Sequence, residues 1–432
     1  MQRQDAIMNK PDYLSSTLVS DSLSAQNVYY TAENSIVDSI PFKANQALFV
    51  TAPTRSDGAG SITFDVPNDQ LVSHVIMEFV LPLSVYNQVI SGPSGWGYSL
   101  IKSYRWQIGS ASQQQLDGQG LFMTQMIECD TEEKALGLLK AAGQTFSNTA
   151  LSTQEDWDAI RRAYVVIELP HSITNYGSRK KPFDTSLLSS PIRLYVDLNP
   201  FNLVFRGAGL SALTQYDSIN FLARQYRLDN NLDSLRVSLM NDSSLYYLYP
   251  FVLPQSAQYP LTFPIRATPS ATSKVSFTVN GFRDAECLGI GMYIVRNINL
   301  SSGSFTFPLN TLSIKNIKMI YNGITYYYSP DQMFNVYNAL DSLGQGYAMV
   351  SNTIDGADNL PLNIVMMNFC QWDPKDSESS RIQRGVRISA NSLTVEVECA
   401  ELLAASADCT AFLTFYYNAS VKCQAGNATL VL

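Results

Sequence analysis

Apolar and polar residues alternate with a period of two through most of this chain, and stretches with helical spacing are few. The clearest alternation is residues 192–198, where Ile192, Leu194, Val196 and Leu198 interleave with Arg193, Tyr195 and Asp197. This predicts a strand with one buried face. Comparable runs predict strands near 60–67, 71–83, 99–114, 165–169, 218–228, 274–281, 289–300, 312–328, 360–369, 392–400 and 410–421. Asn322-Gly323 sits between two such runs and predicts a type I′ hairpin, whose two central residues need positive φ. Helical signals fall in three places. Asp130 with Glu133 forms a capping box, Ala135, Leu138, Leu139 and Ala142 recur at helical spacing, and Gly143 ends the run. Ser152 with Glu155 opens a second helix, with Trp157, Ile160 and Ala163 along one face. Ser329, Pro330 and Gln332 open a third, over about 330–341.

The strand pattern repeats at an interval near half the chain. Ile62-Thr63-Phe64 lies opposite Val275-Ser276-Phe277, at an offset of 213. Residues 76–80 lie opposite 291–295, at 215, and Ile101-Lys102 opposite Ile314-Lys315, again at 213. Three strand units keep their order, and a helical signal follows the third in both halves. The first half carries the larger helical insert, and the register is lost after it. The expected organisation is an arm over 1–43, a first β-domain over 44–229 with a helical insert at about 112–162, and a second over 230–432. Asp229-Asn230-Asn231 marks the boundary. Each domain has about eight short strands, so the fold class is all-β. We read it as two tandem eight-stranded antiparallel jelly rolls, β-sandwiches with short helical inserts.

Composition sharpens this. Of 432 residues only 15% are charged while 46% are hydrophobic, which suits a surface largely covered by neighbours. The net charge of −8 provides no global field for nucleic acid. No apolar run is long enough for a membrane helix, and residues 1–20 lack the apolar core of a signal peptide, so export by the secretory route is not expected. The six cysteines contain no CxxC pair and read as free thiols, Cys399 as a buried one. The sequons at Asn241, Asn299, Asn418 and Asn427 read as chance matches in a chain rich in Ser and Asn.

Candidate chemistry is thin. The two histidines, His74 and His171, are too few for a multi-histidine zinc site. His74 reads as a packed strand residue and His171 as a solvated one. No phosphate loop, nucleophile elbow or metalloprotease motif occurs. Gly118-Gln119-Gly120 and Gly207-Ala208-Gly209 read as turns. The acidic groups Asp130/Glu132/Glu133 and Glu396/Glu398 are weighed as a glycosidase pair; a helix start and the outward face of a strand explain them better. Asp355 and Asp358 read as a turn before a calcium site. Tyr326, Tyr327 and Tyr328 fit a core and interface role better than a sugar platform. No catalytic residue, cofactor site or metal site is expected. The sharpest basic cluster is Arg179-Lys180-Lys181, a solvated loop or a contact with a partner or the interior of an assembly. Arg381, Arg384 and Arg387 suit pairing with a neighbouring chain or with water.

Two consecutive rolls, with LVSHVIMEFVLPL and YSLIKSYRWQIG in the first and IKNIKMIYNGITYY in the second, resemble the double jelly-roll major capsid proteins. These belong to the lineage of adenovirus, tailless bacteriophages and large double-stranded-DNA viruses. The family's Pro-Ser-Gly-x-x-Asn-Phe-Ser phrase is replaced here by WDPKDSESSRIQRG, which keeps a Pro, serines and an Arg but has no Gly directly after Pro-Ser and no Asn. The resemblance implies a homotrimer that tiles an icosahedral shell in the virion, made in the host cytoplasm. It also implies neighbouring capsomers, penton and minor capsid proteins, and an internal membrane touched by the arm, as partners. No sequence-specific nucleic-acid binding is implied. The competing reading is a two-domain carbohydrate-binding β-sandwich, an adhesin or virion spike.

Overall fold

A computed structural model of the chain describes residues 17–18, 36–44, 57–66, 71–109, 111–112, 116–128, 132–147, 151, 153–168, 183–185, 188–228, 247–280, 285–297, 312–321, 323–329, 365–368, 386–388, 393–424 and 426–431. Strands dominate. The first half contains β1 (Thr17–Leu18), β2 (Ile36–Ala44), β3 (Gly60–Val66), β4 (Leu71–Val80), β5 (Ser91–Gly92), β6 (Ile101–Ile108), β7 (Ala111–Ser112), β8 (Phe146–Ser147), β9 (Arg162–Glu168), β10 (Phe183–Asp184), β11 (Ile192–Leu198) and β12 (Ser218–Leu228). The second contains β13 (Tyr247–Phe263), β14 (Lys274–Val279), β15 (Glu286–Arg296), β16 (Ile314–Tyr321), β17 (Ile324–Ser329), β18 (Val365–Asn368), β19 (Val386–Arg387), β20 (Leu393–Cys399), β21 (Ala407–Gln424) and β22 (Asn427–Val431). Five α-helices are described: α1 (Trp96–Leu100), α2 (Gly118–Glu128), α3 (Glu132–Ala141), α4 (Gln154–Ile160) and α5 (Phe201–Val204).

Each half is a pair of facing antiparallel sheets. The first half has β9-β4-β12-β2 against β3-β11-β6-β7, and the second β18-β15-β21-β13 against β14-β20-β16-β17. Counted within each half, the strand orders are the same, and they are those of a jelly roll. Inward residues of the two sheets meet in the core. In the first roll Phe64 of β3 stacks on Phe221 of β12, with ring centroids 4.4 Å apart. In the second Tyr259 of β13 meets Phe277 of β14 at 5.5 Å.

The repeat extends to the register of individual residue pairs. Ile62 pairs Val196 and Val275 pairs Val397; Trp106 pairs Leu194 and Met319 pairs Val395. Met77 pairs Phe221 and Met292 pairs Leu413. The irregularities recur as well. The ladder slips at Lys102 in β6 and at Lys315 in β16, and at residue 73 in β4 and residue 288 in β15. Register is not lost beyond the third unit. It resumes at smaller offsets, 200 for Val165 and Val365 and 201 for Val196 and Val397, because the first roll spends more residues between β7 and β9. The hairpin turns correspond too. Ile108 pairs Ala111 across Gly109-Ser110, and Tyr321 pairs Ile324 across Asn322-Gly323, with Gly109 and Gly323 both at positive φ.

Four further sequence readings differ from the structure. Ile36–Ala44, read as the end of the arm, is an edge strand that completes the first roll by pairing with β12. Its alternation was masked by Asp38 and Pro41, and Pro is tolerated at an edge. β13 is 17 residues long although it contains Pro250, Pro254 and Pro260. All three share one parity, so their missing N–H groups fall on the edge away from β21, which pairs along the whole strand. Gly118–Gly120 starts α2 and is not a turn. The Asp117 carboxylate accepts from Gly120 N–H at 2.6 Å and caps the helix. Glycine is needed at 118 because a Cβ there would lie 2.0 Å from the Tyr98 carbonyl. The capping box of α4 is Thr153 with Asp156, one residue later than read, and Ala163 belongs to β9. α3 matches its expected helical run and ends before Gly143, at φ +114°.

Candidate functional site

No described group of three or more His, Cys, Asp or Glu side chains is arranged to hold a metal. The distinctive geometry is a seam between the rolls. On β21 the odd residues Leu413, Phe415 and Tyr417 face the core of the second roll, while Phe412, Thr414 and Tyr416 face away from it, yet all six are buried. On β15, Gly291 and Tyr293 share the outward side, because they pair with Thr414 and Phe412. What covers this outward face is α2 of the first roll. Thr124 and Tyr416 share a hydroxyl hydrogen bond of 3.2 Å, and Tyr293 donates to Gln119. Tyr293 also stacks on Phe412 at 5.0 Å. Gly291 occupies the position that Ile76 holds in the first roll.

A second part of the seam lies at the hairpin ends. Ser189 donates from its N–H and its hydroxyl to the Gly426 carbonyl, at 2.8 and 2.9 Å. A Cβ on Gly109 would lie 2.9 Å from Ala428 N, so the first roll's hairpin turn rests directly on β22. Asp117 is half-buried at the start of α2. Burial pushes its carboxyl up, against the opposing bonds from Gly120 and Gln258.

Several acidic residues of the sheets are fastened within the fold. Glu398 is on the outward side of β20, as read, but is buried. It accepts from Asn316 at 2.9 Å and faces Lys315 at 3.4 Å and Lys274 at 3.7 Å. Its first-roll counterpart, Asp197, accepts from Ser103 at 3.0 Å and from Ser61, the counterparts of Asn316 and Lys274. Glu78, on the outward side of β4, accepts from Asn220 at 2.7 Å and from Arg162 and Tyr164 at 2.9 Å each. Sequence reasoning missed Glu78. For both Glu78 and Glu398 burial raises the pKa, but the hydrogen bonds and cations outweigh it and hold the carboxyls below their ordinary value.

A lowered folded-state pKa adds stability above the unfolded value of about 4.3 and loses it as pH falls through the folded value. Asp117, raised, acts in the opposite sense: its contribution is full at low pH and fades as pH rises through its folded value. Among the described carboxyls Asp158, held low by its hydrogen bond to Arg161, acts in the same sense as the two glutamates and Asp117 opposes them, so the melting temperature is expected to fall on acidification below about pH 4.3. A Glu78→Gln/Glu398→Gln double variant should show a shallower fall in thermal melts. An equally steep fall would remove these two groups from the account.

Cys287, Cys399, Cys409 and Cys423 are buried thiols. His74 lies in β4, where its backbone pairs Arg224 and Glu168. Arg387 is exposed at the short strand β19. Arg179, Lys180 and Lys181 lie outside the described residues. So do Asp130, His171, Arg381, Arg384, the helix read over about 330–341 and the turn read at Asp355–Asp358.

No protein-family model matches the chain, and no curated protein sequence does. Solved structures do. The PBCV-1 VP54 structure fitted into a reconstruction of the virophage Sputnik is similar over 91% of this chain and 96% of its own, with 12% identity and a TM-score of 0.59. The quasi-atomic model of the PBCV-1 virus capsid covers the same shares at 13% identity and TM-score 0.59. The Faustovirus major capsid protein is similar over 89% of this chain and 90% of its own, at 9% identity and TM-score 0.53. Similarity across both rolls, with the strand order and register described above, shows that this chain has the double jelly-roll fold of major capsid proteins.

Proposed function

We propose that this chain is a structural subunit of an icosahedral virus shell and acts without catalysis. The observation that carries the proposal is the duplicated roll. A chain with two rolls alike in strand order and register forms, as a trimer, a ring of six similar rolls, and a near-hexagonal ring tiles a shell. The seam supports this, because α2 joins the rolls side by side through a buried face. The aromatics Tyr293, Phe412 and Tyr416 are committed to that seam and offer no sugar platform.

Its proposed partners are two further copies, neighbouring capsomers, and penton and minor capsid proteins; its proposed place is the virion shell after synthesis in the host cytoplasm. Arg179-Lys180-Lys181 falls between β9 and β11. Ile192, where β11 begins, sits near Gln107 and the first-roll hairpin turn, and β2 enters the roll at that same end, Ile36 pairing Leu228. We assign that end to the interior, where the basic loop and the arm meet the inner face or a membrane.

Light scattering on the full chain and on a chain lacking residues 1–35 is the test. A mass of three chains is expected at micromolar concentration. A monomer in both samples would overturn the proposal.

A further inference from the structure

The two rolls treat one face differently, and the difference has a physical logic. In the second roll the outward face of β15 and β21 carries Gly291, Tyr293, Phe412, Thr414 and Tyr416, and the chain's own α2 covers it. Register equivalence locates the same face on the first roll. Ile76 stands for Gly291, Glu78 for Tyr293, and Asn220 for Phe412. Among the described helices α2 meets this sheet at its β9 edge, where Gln125 donates to the Val166 carbonyl at 2.5 Å. α1 approaches β9 from the inward side, since a Cβ on Gly97 would touch Ala163 and Val165, which are core residues. Ile76, Tyr164, Val166, Ser218 and Asn220 remain partly exposed, and the Arg162 side chain is 41% exposed.

The chemistry of the two faces follows from when each is covered. A face covered as the chain folds can be apolar. One that waits in water for assembly must be soluble first. Glu78 answers that need. Three donors from its own chain satisfy it before any partner arrives, so covering it leaves no unpaired charge.

We infer that the outward face around Glu78 and Asn220 is the docking surface for the second roll of another copy of this chain. The inference rests on the trimer proposed above. The contact of α2 on the second roll is heterologous, because different surfaces of two similar rolls meet. Repeating it around a ring requires a second-roll element of one copy to land on the first-roll face of the next. The chain available for this runs between Ser329 and Val365, the topological place that α2 has between β7 and β9.

Asn220→Arg and Val166→Glu test the assignment, with exposed Ser211→Arg as a control at the end of the roll. Each is made in the full chain, checked for wild-type secondary structure by circular dichroism, and weighed by light scattering across a dilution series. Both variants should raise the concentration at which half the trimer dissociates by about tenfold or more, and the control should not. Wild-type trimer with unchanged dissociation in both folded variants would overturn the docking surface and leave the trimer standing. A monomeric wild type would overturn both. Hydroxyl-radical footprinting of the wild type needs no variant: Tyr164 and Ile76 should be protected in the trimer relative to the diluted chain. Equal labelling would also overturn the assignment.

Discussion

Thr414→Arg is expected to uncouple the two rolls. Thr414 is 1% exposed, faces away from the second roll's core and lies opposite Gly291. Its neighbours on that face, Phe412 and Tyr416, lie in the seam with α2, which Tyr416 bonds directly through Thr124. An arginine there either buries a cation without a partner, at a cost of several kcal/mol, or pushes α2 off the sheet. That cost is a large share of the roughly 5–15 kcal/mol that holds an ordinary domain. The second roll's own core, on the opposite face of β21, is untouched. The expected calorimetric result is a trace that splits into two transitions, against a single or closely merged one for the unaltered chain. Thr414→Ser, which keeps the hydroxyl and removes one methyl, should shift the trace only slightly. One transition at the original temperature for Thr414→Arg would mean that the seam contributes little.

Trp157→Ala should be the most damaging core truncation in the helical insert. Trp157 is fully buried, its indole N–H donates to the Pro82 carbonyl at 3.2 Å, and its ring meets Phe146 edge-on at 5.2 Å. It therefore ties α4 to the connection after β4. Removing it leaves a large cavity and takes away the shorter of the Pro82 carbonyl's two hydrogen bonds, the one from Val85 N–H at 3.4 Å remaining, for an expected loss of about 3–5 kcal/mol. Trp157→Phe should recover much of the packing but not the hydrogen bond. Denaturant titration followed by circular dichroism reads both. An unchanged midpoint for Trp157→Ala would show that the insert is not packed as described.

The repeat was legible in the sequence because strand units preserve period and spacing. Ile101-Lys102 and Ile314-Lys315 lie at one position of the two sheets and mark the same slip in the ladder. The edge strands were harder to read. Prolines in β2 and β13 interrupt the alternation, and edge pairing tolerates them for a reason that only the sheet order reveals. α2 was hidden by two glycines in its first turn, one of them forced by the Tyr98 carbonyl. The seam was the least legible part. Tyr293 and Phe412 look like core residues in one dimension, and only tertiary packing separates a side chain facing its own core from one facing another roll. Glu78 had no local signal, because Asn220, its shortest hydrogen-bond partner, lies 142 residues away.

The central claim is that two like rolls per chain build a ring of six. Class averages of negatively stained, purified protein test it most directly. A near-hexagonal top view with six lobes around a three-fold axis is predicted. Isolated two-lobed particles at all concentrations would contradict the account.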